Sequence, residues 1–368
     1  MKIAFRVDSS TEIGSGHLMR CLTLADYLKK QGHIAHFLCR DHPGNLSELT
    51  TQHGHQLHRF EEPPADSPTL NDPNVYARWL GTTQDQDAHE TVRHLHGQGG
   101  TWHFMVMDHY GLDVAWQRRV RPHVGHIFVI DDLANRTHDC DVLLDQNLND
   151  AGQARYRGLV PEKCELLCGP PYALLRTEFE KARKGLRKRD GWVRRVLVFY
   201  GGMDKSGETL KACEALQKLN RPDIAVDVIV GLGNLHGEPI RQLCELAGFN
   251  YLRHVNNMAE LMAAADLALG AGGTTTAERA YVGLPTIITA VADNQRPGTE
   301  AFAKAGAAWN AGASTAVTVE SLASLVRKVI DDSEAVRAVG ERAYKLFGDG
   351  NMTGVEHAYS AMRSLTHA

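Results

Sequence analysis

The feature that most constrains this chain is a rhythm. Short apolar runs alternate with segments whose apolar residues recur at helical spacing, and the rhythm runs twice. The first pass reads "KIAFRVD" (2–8), a helix over 16–30, "HIAHFLC" (33–39), "FMVMD" (104–108), a helix through Trp116, "HIFVID" (126–131) and "DVLLD" (141–145). The second reads "RVLVFYGG" (195–202), a helix over 208–219, "AVDVIVG" (225–231), a helix over 238–247, "YLRHV" (251–255), a helix over 257–264, "DLALGAGG" (266–273), a helix from Thr275, and "PTIITA" (285–290). Apolar runs without polar alternation are buried on both faces, the mark of parallel strands covered by helices. The pattern predicts an α/β chain of two Rossmann-like, doubly wound domains. The 368 residues suit two domains of ordinary size. A cleft between them is the default place for a substrate.

Composition narrows the partners. A formal net charge of −4 lacks the basic excess of a nucleic-acid binder. The basic stretch "FEKARKGLRKRDGWVRR" (179–195) has no aromatic stacking platform and reads as a solvated linker. The opening "MKIAFRVD" is too soon broken by charge to be a signal peptide, and no apolar run nears the ~18 residues of a membrane span. The expected setting is cytoplasmic, without membrane insertion. Seven cysteines, with Cys164 and Cys168 the one close pair, are expected to be reduced thiols. The histidines of "HGHQLH" (53–58) and "HLH" (94–96) read as solvated surface groups rather than metal ligands. "EEPPADSPTLNDPN" (61–74), with four prolines, reads as a loop.

Four first-half strands end in aspartate: Asp8, Asp108, Asp131 and Asp145. Ligands of open α/β sheets bind outside the carboxyl ends of the strands, so these residues either wall a polar crevice or cap the turns that follow. The first turn, "DSSTEIGSGHLMRCL" (8–22), leads into the helix that ends near Gly32, with Ser15 as its expected N-cap. Gly14 and Gly16 permit a tight turn and a close ligand. They resemble the start of a dinucleotide fingerprint, but Met19 stands where its third glycine belongs. His17 sits in the first helical turn, where the helix dipole disfavours imidazolium, so a neutral ring is expected to serve as a general base. Asp8 is placed either to orient His17 or its water, or to cap a turn.

The second half carries two glycine turns. Gly272 and Gly273, followed by Thr274, Thr275 and Thr276, offer backbone N–H groups and hydroxyls for a phosphate at a helix start. Glu278 is either a helix-capping acid or an acceptor for ribose hydroxyls. Gly201 and Gly202 of "YGGMDKSGE" (200–208) form the other turn. No metal-binding aspartate pair accompanies either loop, and neither a metal nor a cofactor is expected.

The set "RVDSSTEIGSGHLMRCLTLA", "YARWLGTTQDQDAHET", "VMDHYGLD", "IDDLANRTHDCDVLLDQN", "GPPYALLRTEF", "GAGGTTTAERAYVGLP" and "ADNQ" resembles the UDP-2,4-diacetamido-2,4,6-trideoxy-β-L-altropyranose hydrolases of pseudaminic acid biosynthesis, over roughly residues 2–310. The resemblance implies GT-B architecture. An N-terminal domain over 1–165, on the sugar side, would be joined by a final helix over 340–366. A linker over 166–194 and a UDP-binding domain over 195–339 complete the expected division. It implies His17 as the catalytic base, Glu278 on the ribose, the turn from Val255 to Met258 at uracil, and Asn294 and Gln295 at the sugar. Gly14, Ser15, Gly16, Arg20, Asp108 and Tyr110 lie in the matching N-terminal motifs as expected substrate contacts. The implied reaction is hydrolysis of a UDP-sugar by water attack at the anomeric carbon with inversion, in a monomer or weak oligomer; the alternatives are a UDP-sugar-dependent glycosyltransferase of the same fold and a nucleotide-sugar binding protein without catalysis. The family's loop carries serine and tryptophan where this chain has Thr274 and Ala277.

Overall fold

A computed structural model describes residues 1–62, 74–348 and 352–366. The proline-rich segment predicted as a loop lies for the most part outside these residues. The chain divides into two compact units, one of Met1–Asn147, Ala151–Leu174 and Met352–Ala368, the other of Leu148–Asp150 and Leu175–Asn351.

The first unit is built on seven strands: β1 (Lys2–Val7), β2 (Ile34–Arg40), β3 (Gln56–Phe60), β4 (Phe104–Asp108), β5 (His126–Ile130), β6 (Val142–Asp145) and β7 (Glu165–Cys168). All neighbours pair in parallel, in the order β3-β2-β1-β4-β5-β6-β7. The order reverses between β1 and β4, the switch point at which such sheets bind ligands. Helices α1 (Gly16–Lys30), α2 (Glu48–Gln52), α3 (Gln84–Gly97) and α4 (Val114–Val120) accompany it. Side chains alternate across a strand, and the alternation sorts the core into two layers. Ile3, Phe5, Val7, Phe104 and Val106 pack with Leu18, Cys21, Leu22, Ala25 and Leu28 of α1. Ala4, Met105 and Met107 pack on the opposite face with Ala88 and Leu95 of α3 and Trp116 and Val120 of α4. Each fully buried leucine of α1 contributes about 1.5–3 kcal/mol. Gly32, at φ +80°, takes the left-handed conformation that ends this helix.

The second unit has six parallel strands: β8 (Arg195–Phe199), β9 (Ala225–Val230), β10 (Asn250–Arg253), β11 (Leu267–Ala271), β12 (Thr286–Ala290) and β13 (Trp309–Ala313). Their order is β10-β9-β8-β11-β12-β13, with the reversal between β8 and β11. Among the described residues eight α-helices belong to it: α5 (Thr177–Lys184), α6 (Glu208–Leu219), α7 (Gly237–Ala247), α8 (Met258–Ala264), α9 (Thr275–Tyr281), α10 (Arg296–Lys304), α11 (Val319–Ile330) and α12 (Ser333–Lys345). The last helix, α13 (Gly354–Thr366), returns to the first unit, where Val355, Ala358, Ala361 and Met362 join the core beside α1.

Three features depart from the sequence reading. The units divide at Leu174 and Leu175, not at a 166–194 linker. β7 pairs with β6 in the first sheet, and α5 belongs to the second unit. The basic stretch is also not a solvated tether. Arg183 donates to the Tyr281 carbonyl, and Arg189 donates to the carbonyls of Met262, Ala263, Ala265, Val282 and Gly283. Guanidinium groups are drawn to the unsatisfied carbonyls at helix C-termini, here those of α8 and α9. Finally, the 340–366 segment is two helices, not one. α12 ends at Lys345, and Gly348 at φ +68° breaks the run. Thr353 and Glu356 then open α13 reciprocally, the Glu356 carboxylate accepting from Thr353 N at 2.7 Å and the Thr353 hydroxyl accepting from Glu356 N at 3.4 Å.

Candidate functional site

In the first unit, His17 and Asp108 meet at the switch point. His17 is the second residue of α1, and Asp108 closes β4 beside Val7 of β1. Phe104, Val106 and Asp108 share the strand face that looks at α1, so the carboxylate lands under the start of that helix. His17 Nδ1 lies 2.6 Å from Asp108 Oδ1. A carboxylate accepts only, so the contact assigns a proton to Nδ1; in the neutral ring that places the lone pair on Nε2, which bonds to none of the described residues. Arg20, one turn along, donates to Asp108 through Nε at 2.6 Å and Nη2 at 2.7 Å, and to Asp132 through Nη1 at 2.7 Å. Burial alone would push the Asp108 carboxyl up, but the Arg20 guanidinium and His17 outweigh it and hold the acid well below its ordinary range.

The structure gives Asp8 a different task from the one expected of it. Asp8 follows β1 in the register of Ala4 and Arg6, on the face turned away from α1. Its Oδ1 accepts from Arg6 at 2.6 Å and from Arg40 N at 2.7 Å, and its Oδ2 faces His109 at 3.3 Å and His42 at 3.6 Å. Arg6 is fully buried and also pairs with Asp87 of α3 at 2.7 Å. Asp8 is thus the counter-ion of a buried arginine, and Asp108 is the residue that orients His17.

Arg20 and Tyr110, expected as substrate contacts, are 4% exposed and already engaged. The Tyr110 hydroxyl donates to Asp132 at 2.6 Å, and its ring meets His17 edge-on at 4.6 Å. Trp79 stacks on Tyr110 at 5.6 Å, and its buried indole N–H has no partner among the described residues. Gly14 takes φ +82° with open space where a side chain would project, and Gly16 opens α1. Ser15 holds the N-cap position, but its hydroxyl makes no capping bond, so the first amides of α1 are uncapped by a side chain. Asp131 holds Arg136 at 2.8 Å and the Tyr156 hydroxyl at 3.0 Å, and Asp145 holds Arg155 at 2.6 Å. Burial and the neighbouring Asp132 push Asp145 up to about 7 against the pull of Arg155.

In the second unit both glycine turns follow the two strands of the switch point, β8 and β11. Gly201 takes φ +98°, and the space over Gly201 and Gly202 is open. A Cβ on Gly231, at the end of β9, would lie 2.2 Å from the Gly202 carbonyl, so these turns are packed backbone to backbone. Asp204 fixes the same turn by accepting from the N–H groups of Glu208 and Thr209, both at 2.9 Å. Gly272 is needed for a different reason: a Cβ there would lie 2.4 Å from Thr299 Oγ1. Beyond it, the N–H groups of Gly273, Thr274 and Thr275 donate to nothing among the described residues. Glu278 accepts from Arg176 at 3.0 Å through Oε1, while its Oε2 is buried without a partner. Burial raises its carboxyl above the ordinary range, with Arg176 opposing.

Of the remaining expected contacts, Val255 lies in the loop after β10, and Met258 opens α8 with its side chain buried. Asn294 is exposed in a short turn over Asp293–Gln295. Gln295 accepts locally through Oε1 from Val291 N at 3.1 Å, and its Nε2 lies beside Gly273. The sequence reading missed Asp132, Trp79 and Arg176. The doubled aspartate "DD" at the end of β5 was the available signal for the first.

Residues 195–348 match the family model described as Glycosyltransferase family 28 C-terminal domain. The UDP-2,4-diacetamido-2,4,6-trideoxy-beta-L-altropyranose hydrolase of Campylobacter jejuni is 29% identical over 226 residues, 61% of this chain and 69% of that protein. The alignments to other curated relatives span about half the length of those proteins. Among solved structures, MurG of Acinetobacter baumannii covers 99% of both chains at TM-score 0.64 and 14% identity. UGT2 of Phytolacca americana, complexed with UDP-2fluoro-glucose and pterostilbene, covers 98% of both at TM-score 0.68 and 12% identity. At such identities the likeness shows the fold, and that fold is GT-B: two parallel-sheet, Rossmann-like units.

Proposed function

We propose that this chain hydrolyses a UDP-linked 2,4-diacetamido-2,4,6-trideoxyhexose to UDP and the free sugar. The observation that carries the reading is the His17–Asp108 pair, which leaves a lone pair on Nε2 in a unit whose fold binds ligands at that position. Nε2 takes a proton from water, the water oxygen bonds to the anomeric carbon, and the C–O bond to UDP breaks with its electrons going to the diphosphate. The sugar carbon inverts. Asp108 orients the ring and balances the imidazolium formed in the step, as a carboxylate does in other histidine-dependent hydrolases. UDP is a good leaving group, so a strong general acid is unnecessary.

The second unit takes the nucleotide. The free amides after Gly272 suit the diphosphate, and the unpartnered Glu278 Oε2 suits a ribose hydroxyl, which would satisfy a buried acceptor. The likeness to the Campylobacter jejuni hydrolase supports both the sugar and water as acceptor.

The test is a panel of UDP-sugars incubated with purified protein and no acceptor. UDP release is expected with the diacetamido sugar, and hydrolysis in ¹⁸O-water is expected to label the sugar. Label in UDP would refute attack at carbon. Release that requires an added acceptor would make the protein a transferase. His17→Ala is expected to keep UDP affinity and lose at least about 10²-fold in turnover.

A further inference from the structure

Arg279 lies in α9 and is 1% exposed. The buried arginines of the first unit all hold carboxylates: Arg6 has Asp8 and Asp87, Arg20 has Asp108 and Asp132, and Arg40 has Asp87 and Glu90. Arg183 has three carbonyls and the faces of Tyr281 and Tyr344. Arg279 has less. Its Nη2 donates to the Ala271 carbonyl at 2.7 Å and to the Thr276 hydroxyl at 3.1 Å, its Nη1 donates to the Thr275 hydroxyl at 3.0 Å, and its Nε donates to nothing. No carboxylate among the described residues forms an ion pair with it. Burial pulls the guanidinium down to about 10, against the opposing field of the Glu278 carboxylate, which it does not touch.

A buried charge without a counter-ion is costly, and the chain makes room for this one. A Cβ on Gly270 would lie 2.5 Å from Arg279 Nη1, 3.0 Å from its Cζ and 2.7 Å from the Phe199 carbonyl. The glycine leaves room at the end of β11 for both the guanidinium and the Phe199 carbonyl of the neighbouring strand. From that place the guanidinium ties the strand's last carbonyl, at Ala271, to the first hydroxyls of α9. The turn so pinned is the one whose Gly273, Thr274 and Thr275 amides are free.

We infer that Arg279 is a positioning residue for the diphosphate of the ligand: it fixes the glycine turn from below and supplies the positive charge that the bound phosphates neutralise, without touching them. The inference rests on the reading of this loop as the nucleotide site. It assigns the loop's preference for a diphosphate to a buried side chain, in addition to the backbone amides.

The experiment compares titrations of the full-length protein with UDP and with uridine, which lacks phosphate. Arg279→Met is expected to weaken UDP by about 30-fold, the low end of the scale for truncating one partner of a buried charge pair because Arg279 does not touch the phosphates, and uridine by less than about threefold. Arg279→Lys keeps the charge and loses the fork, and is expected to recover part of the UDP affinity. Should Arg279→Met fail to fold, Arg279→Lys carries the same comparison. Equal weakening of UDP and uridine in folded variants would overturn the inference, since a merely structural role does that, and so would unchanged UDP affinity. A wild-type protein that binds neither compound would instead bring down the nucleotide-site reading itself, and this inference with it.

Discussion

Replacing Asp108 by asparagine changes one atom and is expected to disarm His17. Asp108 Oδ1 accepts from His17 Nδ1 and Arg20 Nη2, and Oδ2 accepts from Arg20 Nε, all within 2.6–2.7 Å. An amide nitrogen at Oδ2 would face the Arg20 Nε–H, donor to donor. At Oδ1 it also meets an Arg20 N–H, but there it gains a bond by donating to His17 Nδ1. That second arrangement moves the ring proton to Nε2, where the lone pair had been. In a serine-protease triad the same exchange costs about 10⁴ in kcat by reversing the tautomer. General-base catalysis is worth about 10²–10⁴, so the barrier here should rise by about 3–5.5 kcal/mol. Arg20 keeps Asp132, so the fold should survive. The assay is kcat for acceptor-free UDP release, with UDP affinity by calorimetry and folding by circular dichroism. A folded Asp108→Asn protein with kcat within tenfold of wild type would refute the reasoning, because the pair would then be structural.

Other perturbations separate the roles further. Asp8→Asn removes one of the two counter-ions of buried Arg6 and leaves Asp87, so a stability loss of up to about 3 kcal/mol is expected by urea unfolding; if kcat of the folded fraction fell as far as in Asp108→Asn, the separation of Asp8 from the His17 site would be wrong. Glu278→Ala is expected to weaken UDP but to leave 2′-deoxy-UDP, with one ribose hydroxyl fewer, less affected; identical losses for both ligands would remove Glu278 from the ribose. Asp145, at about 7 in the folded chain against about 4 when unfolded, holds a proton that the unfolded chain has released between those values. Its contribution therefore makes stability fall as pH rises from about 4 to about 7 and level off above, and Asp145→Asn should abolish that component in unfolding midpoints measured across the range.

Much of the fold was legible because central parallel strands are buried on both faces. "FMVMD" and "HIFVI" have no polar alternation to confuse them, and α1 runs over the sixteenth to thirtieth residues as its apolar spacing predicts. The strands that escaped, "QLHRF", "ELLC" and "WNAGA", all lie at sheet edges, where one neighbour is missing and burial is partial. An edge strand needs no continuous apolar run, so it leaves a faint signal. His17 was legible from its place after a glycine turn, but its partner was not assigned by that turn. Asp8 is nearer in sequence. Strand parity decides otherwise, since Asp108 is in phase with Phe104 and Val106, and Asp8 is in phase with Ala4. The roles of Gly270 and Gly272 were invisible for a different reason: each is dictated by groups distant in sequence, Arg279 and the Phe199 carbonyl in one case and Thr299 in the other.

The return of α13 to the first unit bears on the order in which the protein is made. Val355, Ala358, Ala361 and Met362 cover the layer that holds Leu18, Cys21 and Leu22, and they leave the ribosome only after the whole of the second unit. The half that is synthesised first is therefore completed last. Chains truncated near residue 350 and released are expected to carry a finished second unit and a first unit with an uncovered apolar face, a natural substrate for holding chaperones.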